Sequence, residues 1–219
     1  MAKLSRDRIL RAAVRIADDQ GIESLTMRKL ARKLGVEAMS LYNHVANKSD
    51  LVDGMVDLVV AEIELPETDE WGAAIRDCAI SAHETFIRHP WACSLVMGPS
   101  KTRRLPVPRL HYMEWLLGRL TDAGFSEGLT YHAYHALDSH ILGFTLWELG
   151  HAAGARQISG DEVLADFAGK IIPQLRQQGF ANVAAHAEQH LAAGEDGESE
   201  FEFGLDLILD GLERARTSS

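Results

Sequence analysis

Three residues, Ala31, Gly35 and Leu41, spaced four and then six positions apart, constrain this chain more than any other feature. Two short helices crossing through a tight turn require a small residue, a glycine and a leucine at that spacing. Ala31 lets the helices cross closely, Gly35 accepts the positive φ of the turn, and Leu41, with Val45 four residues on, anchors the second helix to a core. The first helix of the pair is expected over Met27–Leu34, with Thr26 as its N-cap and Leu25 and Leu30 at staple positions. A further helix is expected ahead of it, from Ser5 to Gln20. There Ile9, Leu10, Ala13, Val14 and Ala17 share one face and Arg8, Arg11 and Arg15 the other, Ser5 caps the start and Gly21 closes the end. So held, the second helix of the hairpin turns Met39, Ser40, Tyr42 and Asn43 outward, a presentation that fits the major groove of DNA. An ordinary helical hairpin shares the three-residue spacing, so the flanking charge has to separate the two readings.

The charge is uneven. The chain carries −10 overall, yet residues 1–50 hold ten Lys/Arg against six Asp/Glu, leaving twelve against twenty-six for the other 169 residues. A basic head on an acidic body suits a protein that meets phosphates with one end only. The remaining composition, 46% hydrophobic and 25% charged, is that of an ordinary globular protein. No apolar run approaches the roughly 18 residues of a membrane helix, and the opening MAKLSRDRIL has no apolar stretch ahead of a cleavage site, so a cytoplasmic chain without a signal peptide is expected. Cys78 and Cys93 fit no zinc or redox spacing and are expected to stay reduced.

The run LTMRKLARKLGVEAMSLYNHVANKSDLVDGM, residues 25–55, closely resembles the DNA-binding domain of the tetracycline-repressor (TetR) family, without a gap. QGIESLT ahead of it and FEFGLDLILDGLER near the end continue the resemblance, the latter with that family's final dimerisation helix. The resemblance implies a homodimeric repressor that binds a palindromic operator in double-stranded DNA and is released by a small effector. It implies phosphate contacts from Thr26, Tyr42 and Lys48, base or groove contacts from Arg28, Ala38, Met39, Ser40, Asn43 and His44, and a further DNA contact from Lys29. The residues themselves bear on several of these assignments. Lys48 follows Asn47, an N-cap candidate with Asp50 at N3, and so stands where a helix start meets phosphate. Arg28 has the fork that recognises guanine. His44 reads equally as a packing residue closing the helix.

Beyond the head, Leu51, Val52, Met55, Leu58, Val59 and Ile63 mark a connecting helix over 51–63, followed by the turn ELPETDE. Helical patterns follow at about 71–89, 106–123, 127–153, 160–178 and 201–215, with Pro90, Pro99, Pro106 and Pro108 breaking up the stretch between the first two. The expected fold is all-α: a three-helix DNA-binding domain over 1–50, then a larger effector-binding and dimerisation domain over 64–219. Segment 182–200, small and acidic, is read as a loop. Phe201, Leu205, Ile208 and Leu212 line one face of the last helix and are read as the seam of a two-fold dimer, with Gly204 and Gly211 permitting close backbone approach.

An effector pocket is expected from Phe86, Met97, Tyr112, Met113, Tyr134, His135, Asp138 and His140. Asp138 lies in an apolar helix and is either a polar handle for a ligand or part of an internal network with His135. In the tetracycline repressor a histidine two residues before a glycine ligates the drug's magnesium. The resemblance, aligned on Gly98, puts Val96 at that place, beside Met97, which is no ligand for a hard cation. The implied effector is therefore an apolar or aromatic organic molecule other than magnesium-tetracycline, with no cofactor or structural metal. Two other classes compete. A ligand-independent DNA-binding regulator or an activator would share the head, and a metal enzyme would use His186 and His190, whose HAEQH spacing misplaces the glutamate of an HExxH site.

Overall fold

The computed structural model describes residues 3–98, 105–157, 161–192 and 199–218, together with their side chains outside 152–168 and 190–192. Every regular element among the described residues is helical: α1 (Arg6–Gln20), a short 3-10 turn (Ile22–Ser24), α2 (Met27–Leu34), α3 (Ala38–Leu41), α4 (Lys48–Val60), α5 (Trp71–Arg88), α6 (Pro90–Val96), α7 (Val107–Asp122), α8 (Glu127–Gln157), α9 (Asp161–Gln177), α10 (Ala181–Ala192) and α11 (Glu200–Thr217). The chain divides into two compact units, Met1–Leu146 with Gly204–Ser219, and Trp147–Phe203. In the second, α9 packs against α10. The first contains the whole N-terminal head and most of the body.

Local chemistry sets the head's helix ends. The Ser5 hydroxyl accepts the Arg8 N–H, and the Thr26 hydroxyl accepts the Lys29 N–H at 3.2 Å. Gly35 closes α2 in the left-handed region, φ 68° and ψ 35°, where a side chain would be strained. Leu25, Leu30, Leu41 and Leu51 are fully buried, so α2, α3 and α4 each turn a leucine into the head's core; α2 and α4 pack on α1, and α3 packs on α2. The expected anchors Leu41 and Val45 are both inside.

A buried ion pair ties these pieces together. The Arg6 guanidinium, on the first residue of α1, donates to both Asp50 carboxylate oxygens at 2.8 and 2.9 Å and to the carbonyl of His44 at 3.1 Å. The same carboxylate accepts the Ala46 N–H at 2.8 Å, and the Asp50 N–H donates to the Asn47 side chain. Four residues on, Gly54 lets α4 lie close to α1: a Cβ there would stand 2.9 Å from Leu10 Cδ2 and 3.0 Å from Arg6 Nη2.

At the other end of α4 a second polar cluster forms. His89, between α5 and α6, places Nδ1 2.8 Å from Asp18 of α1 and Nε2 3.2 Å from Glu62 just past α4, and the Trp91 indole donates to Asp18 at 2.7 Å. The stretch joining α4 to α5 is also held. Arg119 of α7 donates to the carbonyls of Thr68 and Pro66, the Ser81 hydroxyl accepts the Glu64 N–H, and the Glu70 carboxylate caps α5 at Gly72 and Ala73. Both cysteines are free and buried, Cys93 pointing its thiol at the Leu142 carbonyl 3.8 Å away. Burial pushes the Cys78 thiol up to about 12 and that of Cys93 up to about 11.

Three expectations need correction. The connecting helix runs over Lys48–Val60 rather than 51–63; it starts at its cap, Asn47, and stops before Ile63, which is buried all the same. Pro90 does not interrupt a helix but begins one, α6, at the position where a missing N–H costs nothing. Segment 182–200 is not a loop through its first part, because α10 occupies Ala181–Ala192. Its alanines favour helix more than its polarity opposes it.

The Arg6–Asp50 pair generates a stability prediction. Arg6→Met leaves a carboxylate only 5% exposed without its cation, and the loss should be about 3–5 kcal/mol in denaturant titration. A loss below about 1 kcal/mol would equate the pair with an ordinary surface ion pair.

Candidate DNA interface and ligand cavity

The residues read as DNA contacts occupy the starts of α2 and α4 and the whole of α3 with the turn after it. Thr26, Arg28, Asn43 and Lys48 are exposed, Lys29, Ala38, Ser40 and His44 half-buried. Met39 and Tyr42 stand out at 73% and 45% exposure, large side chains without cover on the chain itself. The reading element is shorter than expected. α3 is one helical turn, Ala38–Leu41, and Tyr42 and Asn43 lie in the turn that continues it, with the Tyr42 N–H on the Met39 carbonyl and the His44 N–H on the Leu41 carbonyl. The His44 carbonyl accepts Arg6, so its backbone is part of the Arg6–Asp50 lock whatever its ring does. Lys48 is the first residue of α4, whose N-terminal N–H groups add partial positive charge to that of its own ammonium. The basic residues Arg28, Lys29 and Lys48 thus accompany an apolar and amide-bearing tip, Met39, Tyr42 and Asn43. Such a combination suits phosphate attraction at its edges and base contact at its centre.

The second site is a cavity of about 550 Å³ lined by Val60, Ile63, Phe86, Val96, Met97, Arg109, Leu110, Tyr112, Met113, Tyr134, Asp138, Ser139, Ile141, Leu142 and Gly143. Six of the eight expected pocket residues line it: Phe86, Met97, Tyr112, Met113, Tyr134 and Asp138. The two histidines do not. His135 is exposed on the far side of α8, stacked edge-on against Tyr131 with ring centroids 4.5 Å apart, because it lies one position round the helix from Tyr134. His140 packs on α11 instead, where a Cβ at Gly204 would come within 2.6 Å of its Cε1. The close approach expected of Gly204 is therefore real but made by a side chain of the same chain, and Gly211 has no such neighbour.

The sequence reading missed Arg109. It lines the cavity and follows the prolines Pro106 and Pro108 at the start of α7. The signal was present: Arg109, Tyr112, Met113, Leu116 and Leu120 recur at helical spacing, which puts a cation on the inward face of α7. Its Nε donates to Asp57 of α4 at 2.8 Å. Burial raises the Asp57 pKa above the ordinary carboxylate value, and Arg109 works against that rise. Across the cavity, burial raises Asp138, with His135 opposing, and burial followed by Asp138 raises Tyr134; Tyr112 is pushed well up by burial. Among the lining residues there is no histidine and one carboxylate, a donor set that does not suit a hard cation.

Of the four residues expected to form a seam on α11, three are buried within the chain and Ile208 is half-buried. Leu205 is fully buried, Phe201 and Leu212 nearly so, and with Leu209 they face the chain's own interior. Leu207, 56% exposed, points the other way. Both lines of the helix are apolar, and the one with more leucines was consumed by the monomer's core.

Asp138 gives a test of the cavity's electrostatics. Its folded-state pKa lies above the unfolded one, so its contribution to stability is full below the ordinary carboxylate range and falls as pH rises. Asp138→Asn should therefore raise the melting temperature near neutral pH and lose that advantage by pH ~4. An unchanged difference across that range would show that Asp138 is well solvated.

Comparison with known proteins identifies the lineage. The model of bacterial regulatory proteins of the tetR family matches residues 9–55, and that of the tetracyclin repressor-like C-terminal domain matches residues 65–216. The HTH-type transcriptional repressor DrrR1 of Streptomyces coeruleorubidus is 31% identical over 221 residues, covering 96% of this chain and 77% of that protein. The tetracycline repressor protein class E of Escherichia coli is 32% identical over 217 residues, 97% of this chain and 92% of the relative. ActR of Streptomyces coelicolor superposes in its apo form with a TM-score of 0.76 at 27% identity, covering 100% and 99% of the two chains, and in complex with actinorhodin with 0.72 at 25%, covering 98% and 99%. This chain belongs to the TetR family of DNA-binding transcriptional regulators, which are not enzymes.

Proposed function

We propose that this protein represses transcription as a homodimer on a palindromic operator, and that a small organic effector seated in the α4–α8 cavity releases it. The observation that carries the reading is that α4 serves both sites. Lys48 begins that helix beside the recognition turn, and Val60 ends it in the cavity wall. Thirteen residues at 1.5 Å each separate them by about 20 Å of rigid helix. A molecule that displaces the end of α4 therefore moves its start. In this reading residues 1–50 bind DNA, 51–63 connect, and 64–219 bind effector and dimerise. Relatives support the reading: one is a tetracycline repressor and another was solved in complex with actinorhodin. The lining here, mainly aliphatic and aromatic with few polar groups, suits an aromatic organic ligand over one carried on a metal ion.

Operator binding tests the head. The affinity should fall steeply with salt, and Lys48→Ala should weaken all sequences alike while lowering the log–log slope by roughly 0.9. Asn43→Ala should instead relax preference at one base pair, at a cost of about 1–3 kcal/mol. Fluorescence anisotropy with a selected operator and a scrambled one separates the two, and identical effects from both variants would count against this assignment.

The dimer has its own test. Leu207→Glu should yield a folded monomer by light scattering with operator affinity lost. Leu212→Glu, buried in the chain, should unfold it by several kcal/mol, ~3 or more. A stable dimer in the Leu207 variant would move the interface elsewhere.

A further inference from the structure

Among the described residues Arg109 has one hydrogen-bond partner. Its Nε donates to Asp57 at 2.8 Å, with the two side chains 14% and 24% exposed. Its Nη2 is buried with no hydrogen-bond partner among the described residues. A guanidinium is a planar fork that normally engages a carboxylate through two parallel N–H donors. Here the second prong is left over, and the side chain lines the cavity. Buried N–H groups of a cation are rarely left without an acceptor in a finished structure. Much of the lining is hydrocarbon or thioether, including Val60, Ile63, Leu110 and Met113, and its other polar side chains are Tyr112, Tyr134, Asp138 and Ser139, none of which bonds Nη2. Tyr134, Asp138 and Ser139 belong to α8, and Tyr112 to α7.

We propose that Arg109 is the group by which this cavity recognises its effector, taking an anionic oxygen of an aromatic acid, a carboxylate or an acidic phenol, on Nη2. The proposal rests on the reading of the cavity as the effector site and adds the ligand's charge to it. The acid's ring system fills the apolar part, and its far edge meets the Tyr134 hydroxyl and Asp138. The bound anion then shares the guanidinium with Asp57, the residue through which α7 grips the middle of α4. An acid that draws Arg109 toward itself loosens that grip, so recognition and release act through one side chain. A neutral ligand of the same shape fills the cavity without doing so.

The probes are an anthraquinone monocarboxylate and the methylanthraquinone with the same substitution, measured by calorimetric titration on the full chain. Wild type should bind the acid at least about tenfold tighter than the methyl compound, the range expected for one hydrogen bond to a charged group. Arg109→Gln should erase that preference while keeping the affinity for methylanthraquinone. Asp57→Asn leaves the cavity lining intact and frees the guanidinium, so it should tighten the acid and leave the neutral probe unchanged. Should Arg109→Gln fold poorly, the Arg109→Gln, Asp57→Asn double variant removes the carboxylate left behind and reads the same preference. Met113→Trp, which fills the cavity, must abolish binding of both probes. Binding of neither probe to wild type, or binding that Met113→Trp leaves untouched, overturns the cavity reading and this proposal with it. Equal affinity for the two probes, or an acid preference that survives in Arg109→Gln, overturns the role of Arg109 alone.

Discussion

The DNA-facing part of this protein depends on one buried carboxylate. Asp50 is nearly inaccessible, and a lone ionised group in that position would cost several kcal/mol. It is tolerated because the Arg6 guanidinium and the Ala46 N–H both donate to it, while the cap at Asn47 holds the Asp50 backbone in place. Those partners come from the first turn of α1, the segment after α3 and the start of α4, so none of the three can shift without stranding the charge. This explains how α3, a helix of four residues, is presented firmly. A single turn has no stability of its own in water. Its position comes from Leu41 and Val45 beneath it and from the Arg6 contact to the His44 carbonyl behind it.

The same economy recurs along α4. Gly54 lets its middle lie against α1, Asp57 binds α7, and Glu62 just beyond its end joins Asp18 and Trp91 around His89. Each of these contacts is polar or sterically exact, and each joins α4 to a different neighbour. A purely apolar interface of similar size would slide more easily, since dispersion contacts have no register. The uneven charge completes the arrangement: with the acidic excess outside residues 1–50, electrostatic attraction to phosphate is confined to one end of the molecule.

Much of this was legible in the residues. The spacing of Ala31, Gly35 and Leu41 fixed the hairpin, and Ser5, Thr26 and Asn47 all cap the helices they were expected to cap. These signals are local, and local chemistry survives into the fold. What was misread depends on contacts distant in sequence. Arg6 is 44 residues from Asp50, and nothing near either marks the pairing. His135 and His140 were drawn into the pocket by their neighbours on α8, but a rotation of one residue puts a side chain on another face. Leu205 and Leu212 show the limit of periodicity most plainly. A pattern locates an apolar stripe without saying whether the stripe meets the chain's own core or a second copy.

The two cysteines have a consequence of their own. Burial holds both thiols far above neutral pH, so in the native protein neither carries the thiolate that oxidants and alkylating reagents attack. Thiol chemistry is thereby closed to the folded chain and open to the unfolded one. Maleimide uptake becomes a direct gauge of how often the core around α5 and α6 opens. It also means that a cysteine introduced on the exposed surface is the one reactive thiol of the native molecule, ready to carry a dye with no removal of the natural pair.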